Sequence, residues 1–245
     1  EEFSSLSRGL VPFLLVWAAL MVPIALEPDL STALLVGVIG CLVVYVAGAR
    51  LTHFAFLGLL AAPVLYSQLD VAFRARRVLA YLNPSADPTG AGFQVQQSLL
   101  AFGSGGVAGV GFGQGRQKFG FLPEAHNDFI FAMIGEEWGL IGVTATVLLY
   151  LLLILIGFRV ASRAPDLFGQ LLAVGLTSTI ALQAILHMAV GLRLVPATGL
   201  VLPLISYGRS HLVVTLASLG ILMSISRASG LHDRGAPPVR RRARA

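Results

Sequence analysis

The sequence predicts an all-α, polytopic membrane protein, and three observations carry that prediction. Apolar residues make up 56% of the 245 and charged residues only 12%, whereas a soluble globular domain is nearer half apolar and a quarter charged. Mean hydropathy is +0.82. The apolar residues also fall in continuous runs. Alternation would suit a closed β-barrel; continuous runs suit helices, which satisfy every backbone group internally within lipid.

Six runs follow along the chain. Residues 10–26, 30–48, 140–158 and 171–190 each approach the roughly 20 residues that cross a bilayer as helix. Residues 54–69 and 212–226 are shorter and cross with polar-flanked extensions. The whole chain, 1–245, thus reads as a single membrane domain. It opens on Glu1-Glu2 with no signal-peptide pattern before the first run, which reads as a piece of a longer protein. The lone Cys41 lies inside a span, so no disulfide framework is possible. A net charge of +5 could suit nucleic acid, but in a membrane protein basic residues are topogenic, and no nucleic-acid partner is expected.

Orientation follows from those basic residues. A cytoplasmic C-terminus puts Arg227, Arg234, Arg240, Arg241, Arg242 and Arg244 inside, in a basic tail over 227–245. Counting back through six spans adds Arg8, Arg50, Arg159 and Arg163, ten of the seventeen Lys and Arg. The long segment 71–137 and the stretch 191–211 then face away from the cytoplasm. Arg74, Arg76 and Arg77 break the pattern at the outer end of the third span. Two readings stand: snorkelling beside lipid phosphates, or three forked donors for a pyrophosphate.

The segment 71–137 is too long for an ordinary connection and too aromatic for disorder, with Tyr81, Phe93, Phe102, Phe112, Phe119, Phe121, Phe129 and Phe131. Residues 94–102 read as a short amphipathic helix with Val95, Leu99 and Phe102 on one face. A glycine run follows, from Gly103 through Gly115. It fits tight turns or a close approach of backbone to a ligand, and no strand precedes it as a dinucleotide fingerprint would need.

Then Glu124, His126, Asp128, Glu136 and Glu137 fall within fourteen residues, FLPEAHNDFIFAMIGEEWG. Residues 129–158 are helix-compatible for about 45 Å, against a core of about 30 Å. Asp128 sits at the outer start of that helix. It is either the N-cap or an ionisable group with a function, as Glu136 and Glu137 are by their depth. A second constellation, PATGLVLPLISYG from Pro196, breaks the helix at membrane depth, where non-helical backbone lines a cavity or is buried in protein.

These strings resemble the SEDS family of shape, elongation, division and sporulation proteins, the RodA, FtsW and SpoVE group. The resemblance rests on EPDLSTA from Glu27, YLNPSADPTGAGFQVQQSLLAFGSGG from Tyr81, QKFGFLPEAHNDFIFAMIGEEWG from Gln117 and PATGLVLPLISYG from Pro196, and it runs across nearly the whole chain. Family members have ten spans, so the chain corresponds to the last six. The resemblance implies a peptidoglycan glycosyltransferase of the bacterial inner membrane. Such an enzyme polymerises lipid II into glycan strands in cell elongation or division, releases undecaprenyl pyrophosphate, and works with a class B penicillin-binding protein. It carries the essential acidic residue onto Asp128, and the family's other motif acids onto Glu124, Glu136 and Glu137. The family's arginine string falls on Arg74, Arg76 and Arg77. Gln97, Lys118, His126, Ser206 and Tyr207, polar residues of the same strings, join these as candidates to contact substrate. The chain departs from the family pattern with Thr198 for a usual Lys, Arg209 and His211 within the SYGGSS string, and His187 near a usual Asn.

The chemistry can be stated from the residues. Attack of a sugar hydroxyl on an anomeric carbon needs a carboxylate to take the proton, for which Asp128 is the candidate, and an inverting displacement needs no covalent enzyme intermediate. The departing pyrophosphate gains charge that the three arginines can meet, with Mg²⁺ or Mn²⁺ as a helper held largely by phosphates. No dedicated all-protein metal site is evident. Two rival readings are a lipid II flippase, which needs polar residues running from face to face, and a non-catalytic partner of a penicillin-binding protein.

Overall fold

The computed structural model describes residues 29–55, 72–84 and 90–235, with isolated positions between 16 and 24 and at 58 and 59. Every regular element among them is helical: α1 (Leu30–Val46), α2 (Ala72–Leu82), α3 (Ala91–Gly105), α4 (Ile130–Ser162), α5 (Leu167–Gly191) and α6 (Arg209–Gly235). Of the six predicted runs, those at 30–48, 140–158, 171–190 and 212–226 coincide with α1, α4, α5 and α6. The runs at 10–26 and 54–69 lie largely outside the described residues. Three helices are long and apolar enough to cross a membrane, Ile130–Ser162, Leu167–Gly191 and Arg209–Ser229, and α1 is a shorter apolar helix. The protein is a polytopic helical membrane protein.

Local chemistry sets the starts of two spans. The Asp29 carboxylate accepts from the Thr32 N–H at 3.1 Å and caps α1, and Asp166 does the same for α5 through the Gly169 N–H at 3.3 Å. Each removes an orphaned donor that lipid could not satisfy.

Helix α5 is the central span and packs on α1, α4 and α6. Its buried face is largely small, with Ala173, Thr177, Ser178, Ala181, Ala184 and Gly191 beside the bulkier Ile180 and His187. Small residues let helix backbones approach closely where lipid offers no hydrophobic drive for association. Gly157 of α4 lies so close to Thr177 that a Cβ there would overlap its side chain.

Helix α3 packs on α4 and on the Gly191 end of α5. It is longer than the predicted 94–102, and its buried face differs too. Val95, Ser98 and Ala101 are buried, whereas Leu99 is exposed. The reason is a polar anchor: Ser98 Oγ donates to the Gly191 carbonyl at 2.7 Å, turning the small-residue face toward α5. Phe102 still packs inward, edge-on to Phe131 with centroids 5.6 Å apart. Ala101, Leu122, Ala125, Phe129, Ala132, Met133 and Val190 then form one cluster joining α3, α4, α5 and the loop between α3 and α4.

Candidate functional site

The site starts from a break in a helix. Within α4, Gly139 has φ 63° and ψ −157°, outside helical space and costly for any residue with a Cβ. Such a break frees backbone groups of α4, and the glycine run meets them. Val110 and Gly111 donate to the carbonyls of Glu136 and Glu137, both at 3.0 Å, while Leu140 and Ile141 donate to those of Gly106 and Val107 at 2.9 and 3.2 Å. Glycine is needed for contact as well as for conformation. A Cβ at Gly105 or Gly109 would run into the backbone of residues 135–138, and one at Gly139 into the backbone of Gly109 and Val107. The close approach read from the sequence is therefore made to α4 of the same chain.

Side chains complete this junction. Glu136 is buried, and its carboxylate accepts from the N–H of Arg116 at 2.8 Å and of Gln117 at 3.2 Å. Glu137 accepts from the Gly113 N–H at 2.9 Å and pairs with Lys118 Nζ at 2.7 Å. Lys118 also donates to the Gly113 carbonyl at 2.6 Å. These three charged residues spend their hydrogen bonds on holding residues 113–118.

The segment 192–208 between α5 and α6 is non-helical, as its prolines and glycines predict. Its carbonyls are met by side chains from three helices, α2, α4 and α5. His187 Nδ1 lies 2.8 Å from the Leu200 carbonyl, and the Tyr150 hydroxyl donates to that of Pro203. Tyr81 donates to Leu194 at 3.2 Å and Arg77 to Ala197 at 3.3 Å, while Arg193 returns a bond to the Tyr81 carbonyl at 3.0 Å. So α2 is clasped to this segment.

Residues 122–128 are held against the same segment. Ser206 Oγ donates to the Asn127 carbonyl at 2.8 Å, and the Tyr207 N–H to that of His126 at 3.0 Å. Ser206 Oγ also accepts from the Leu202 N–H at 2.8 Å. The two constellations, nearly seventy residues apart in sequence, thus form one structure. Glu124 takes a left-handed conformation, φ 52°, uncommon for a residue with a Cβ, and its carbonyl accepts from both the Asn127 and Asp128 N–H.

Asp128 stands where these pieces meet. Partial burial, and next the negative charge of Glu124, raise its carboxyl above the ordinary carboxylate range; Arg77 pulls the other way. It does not cap α4. The N-cap is Phe129, without a side-chain hydrogen bond to the helix. Phe129 is buried in the cluster under the loop, so packing fixes the helix start and the carboxylate beside it stays in the open turn.

Comparison with known proteins turns on these same segments. The cell cycle protein family of FtsW, RodA and SpoVE matches residues 1–230. The chain belongs to the FtsW/RodA/SpoVE family. It is 46% identical over 227 residues to a probable peptidoglycan glycosyltransferase FtsW of Geobacter sulfurreducens, covering 92% of this chain and 61% of that one. It is also 46% identical over 233 residues to stage V sporulation protein E of Bacillus subtilis, 94% of this chain and 63% of that one. Among solved structures it is similar to a chain from a peptidoglycan synthase complex that coordinates polymerization and crosslinking, with TM-score 0.69 and 32% identity over 88% of this chain and 62% of that one. The rod shape determining protein RodA of Thermus thermophilus gives TM-score 0.57 and 29% identity over 96% and 61%. The chain spans about three fifths of the length of these family relatives.

Among the family-pattern residues, Asp128, Glu124 and Arg77 come together, with the backbone of His126 and the side chain of Ser206 supporting the turn that carries them. The side chains of Arg74 and Arg76 lie outside the described residues. Glu136, Glu137 and Lys118 stand apart as a loop-holding group. Gln97 is half-buried on α3, and Tyr207 is exposed, its hydroxyl accepting from Arg209 at 3.2 Å. Thr198, at the position where the family pattern has Lys, buries a hydroxyl that has no hydrogen-bond partner beside the Ala197 carbonyl held by Arg77. Sequence reasoning missed Tyr81, Tyr150, Arg193 and Gly139. Gly139 did leave a signal, a glycine inside an otherwise uninterrupted helical run facing a glycine-rich loop.

Proposed function

We propose that the protein carrying this chain polymerises lipid II into glycan strands at the outer face of the bacterial inner membrane, releasing undecaprenyl pyrophosphate and working beside a class B penicillin-binding protein. The C-terminus then lies in the cytoplasm. The observation that carries the reading is Asp128, a carboxylate raised above its ordinary range by partial burial and by the charge of Glu124, within range of the opposing charge of Arg77, on a turn held by Ser206 and Tyr207.

Polymerisation needs a base for the acceptor hydroxyl, and a carboxylate pushed upward in pKa is a stronger base while ionised. Asp128 takes that proton as the oxygen attacks the anomeric carbon. The pyrophosphate leaves with the bonding pair, and its growing charge is met by Arg77, with Arg74 and Arg76 of the same helix as further donors. One arm of Arg77 is tied to the Ala197 carbonyl, which fixes the direction of the rest of the guanidinium.

Glu124 and Asp128 also suit Mg²⁺ or Mn²⁺, since their mutual repulsion is what a divalent cation relieves. Among the described residues no group of three His, Cys, Asp or Glu could hold a metal alone, so phosphate and water oxygens would complete the shell. A cation there would neutralise charge on the pyrophosphate.

The test is polymerisation of labelled lipid II by the purified full-length protein with its partner. Asp128→Asn should lower glycan synthesis by at least about 100-fold, the low end for a general base, with folding and partner binding kept. Near-normal synthesis by that variant would end the assignment.

A further inference from the structure

We propose that the loop from Gly106 to Gly120 is seated in the membrane interface, with Val107, Val110, Phe112, Phe119 and Trp138 in contact with lipid at the headgroup and acyl boundary. The inference stands apart from the proposed chemistry.

Depth is the first argument. The basic residue in the last turn of α4 is Arg159. Counting back about 20 residues at 1.5 Å each covers the roughly 30 Å apolar core and ends at Gly139. Trp138 therefore lies at the far interface, the level where aromatic side chains collect. The loop cannot lie at another height, because four backbone hydrogen bonds tie residues 106–111 to residues 136–141.

Composition and exposure are the second. Phe112 and Phe119 are 81% and 73% exposed, and Val107, Val110 and Trp138 are exposed as well. Phe112 stands edge-on to Trp138 with centroids 6.2 Å apart. Leu140 and Ile141, also exposed, continue this surface onto the apolar face of α4. Of the two cations in the loop, Lys118 bonds Glu137 and lies 5.4 Å over the Phe119 ring, while Arg116 is exposed, at a depth where a long basic side chain reaches lipid phosphates. An aromatic surface continuous with the exposed apolar face of α4, at interfacial depth, with one cation paired and the other long enough to snorkel, fits a lipid boundary better than water.

The test uses the full-length protein in nanodiscs. Single cysteines replace Phe112 or Phe119 in a full-length background with Cys41 and every other native cysteine changed to Ser, and carry an environment-sensitive dye, with exposed mid-span Leu149→Cys as the lipid reference. Doxyl groups near the top of the acyl chain should quench the dye at 112 and 119 at least about half as well as at 149, and aqueous iodide should quench it only weakly. Strong iodide quenching would overturn the proposal, and so would protection from both quenchers, which would mean a protein cover. As a check that needs no cysteine, Trp138 emission in a variant with every other tryptophan of the full-length protein, Trp17 included, replaced by Phe should be quenched by brominated lipid. Its failure to respond would count equally against the proposal.

Discussion

Four acidic residues lie within fourteen positions, and the structure divides them into two unlike pairs. Glu136 and Glu137 are saturated with donors, from the backbone N–H of Arg116, Gln117 and Gly113 and the ammonium of Lys118. Glu124 and Asp128 face each other's charge on a turn, and Asp128 is raised in pKa. A carboxylate whose oxygens are all engaged by backbone N–H groups and an ammonium holds structure. One kept partly dry and near another negative charge is poised for proton transfer or cation binding. The difference is invisible in composition, since all four are acidic residues beside aromatics.

The sharpest way to break the comparison is to neutralise one member of each pair. Asp128→Asn should remove at least about 100-fold of glycan synthesis with no fall in melting temperature. Glu136→Gln should do the reverse in emphasis. Both Glu136 oxygens accept N–H bonds, and Gln offers a single acceptor and points an NH₂ at a donor, a loss of about 1.5–3 kcal/mol for bonds to a buried charged group. A lowered melting temperature with activity falling only in proportion to folded protein is expected. Equal stability loss in both variants would erase the distinction.

Next in size are the glycines of the junction. Gly109 has φ 79°, and a Cβ there would strike the Glu137 carbonyl. Gly109→Ala should therefore destabilise by more than the about 1 kcal/mol typical of a point mutant. Gly103 has nothing near its absent Cβ and sits on the exposed side of α3, so Gly103→Ala should be neutral or slightly stabilising through helix propensity. Thermal unfolding of the two variants in detergent reads the contrast directly.

Much of the fold was legible because membrane spans declare themselves through long apolar runs, and α1, α4, α5 and α6 lie where those runs predict. The non-helical 192–208 segment was legible too, from Pro196, Gly199, Pro203 and Gly208. What the residues could not say was who satisfies that segment. Two of its partners, Tyr150 and Tyr81, come from helices 53 and 113 residues away along the chain, and nothing local marks a tyrosine as the donor to so remote a carbonyl. The cap reading of Asp128 gave way for a related reason. Asn-Asp before an apolar run is a strong local signal, but burial of Phe129 fixes the helix start one residue later, a tertiary effect. The face of α3 shifted likewise, because Ser98 outweighed Leu99 by finding a carbonyl on α5.

The smallest expected effect tests the Asp128 environment through stability alone. Its folded pKa is raised, chiefly by burial, so the folded protein holds that proton more tightly than the unfolded chain. Between the ordinary carboxylate value and the raised one, the folded state binds more protons, and stability falls as pH rises through that window. Above it the penalty for keeping an ionised Asp128 partly buried is fully present; below the ordinary value it is absent. Asp128→Asn has no such titration. The variant should therefore melt slightly higher than the natural protein at neutral and alkaline pH, with the advantage shrinking as pH falls through the window. Glu124→Gln should recover part of the same advantage, because it removes the second cause of the shift while leaving burial in place. A melting-temperature difference between Asp128→Asn and the natural protein that stays constant from pH 3 to pH 8 would show that the carboxylate is not held in the environment on which the proton-transfer role depends.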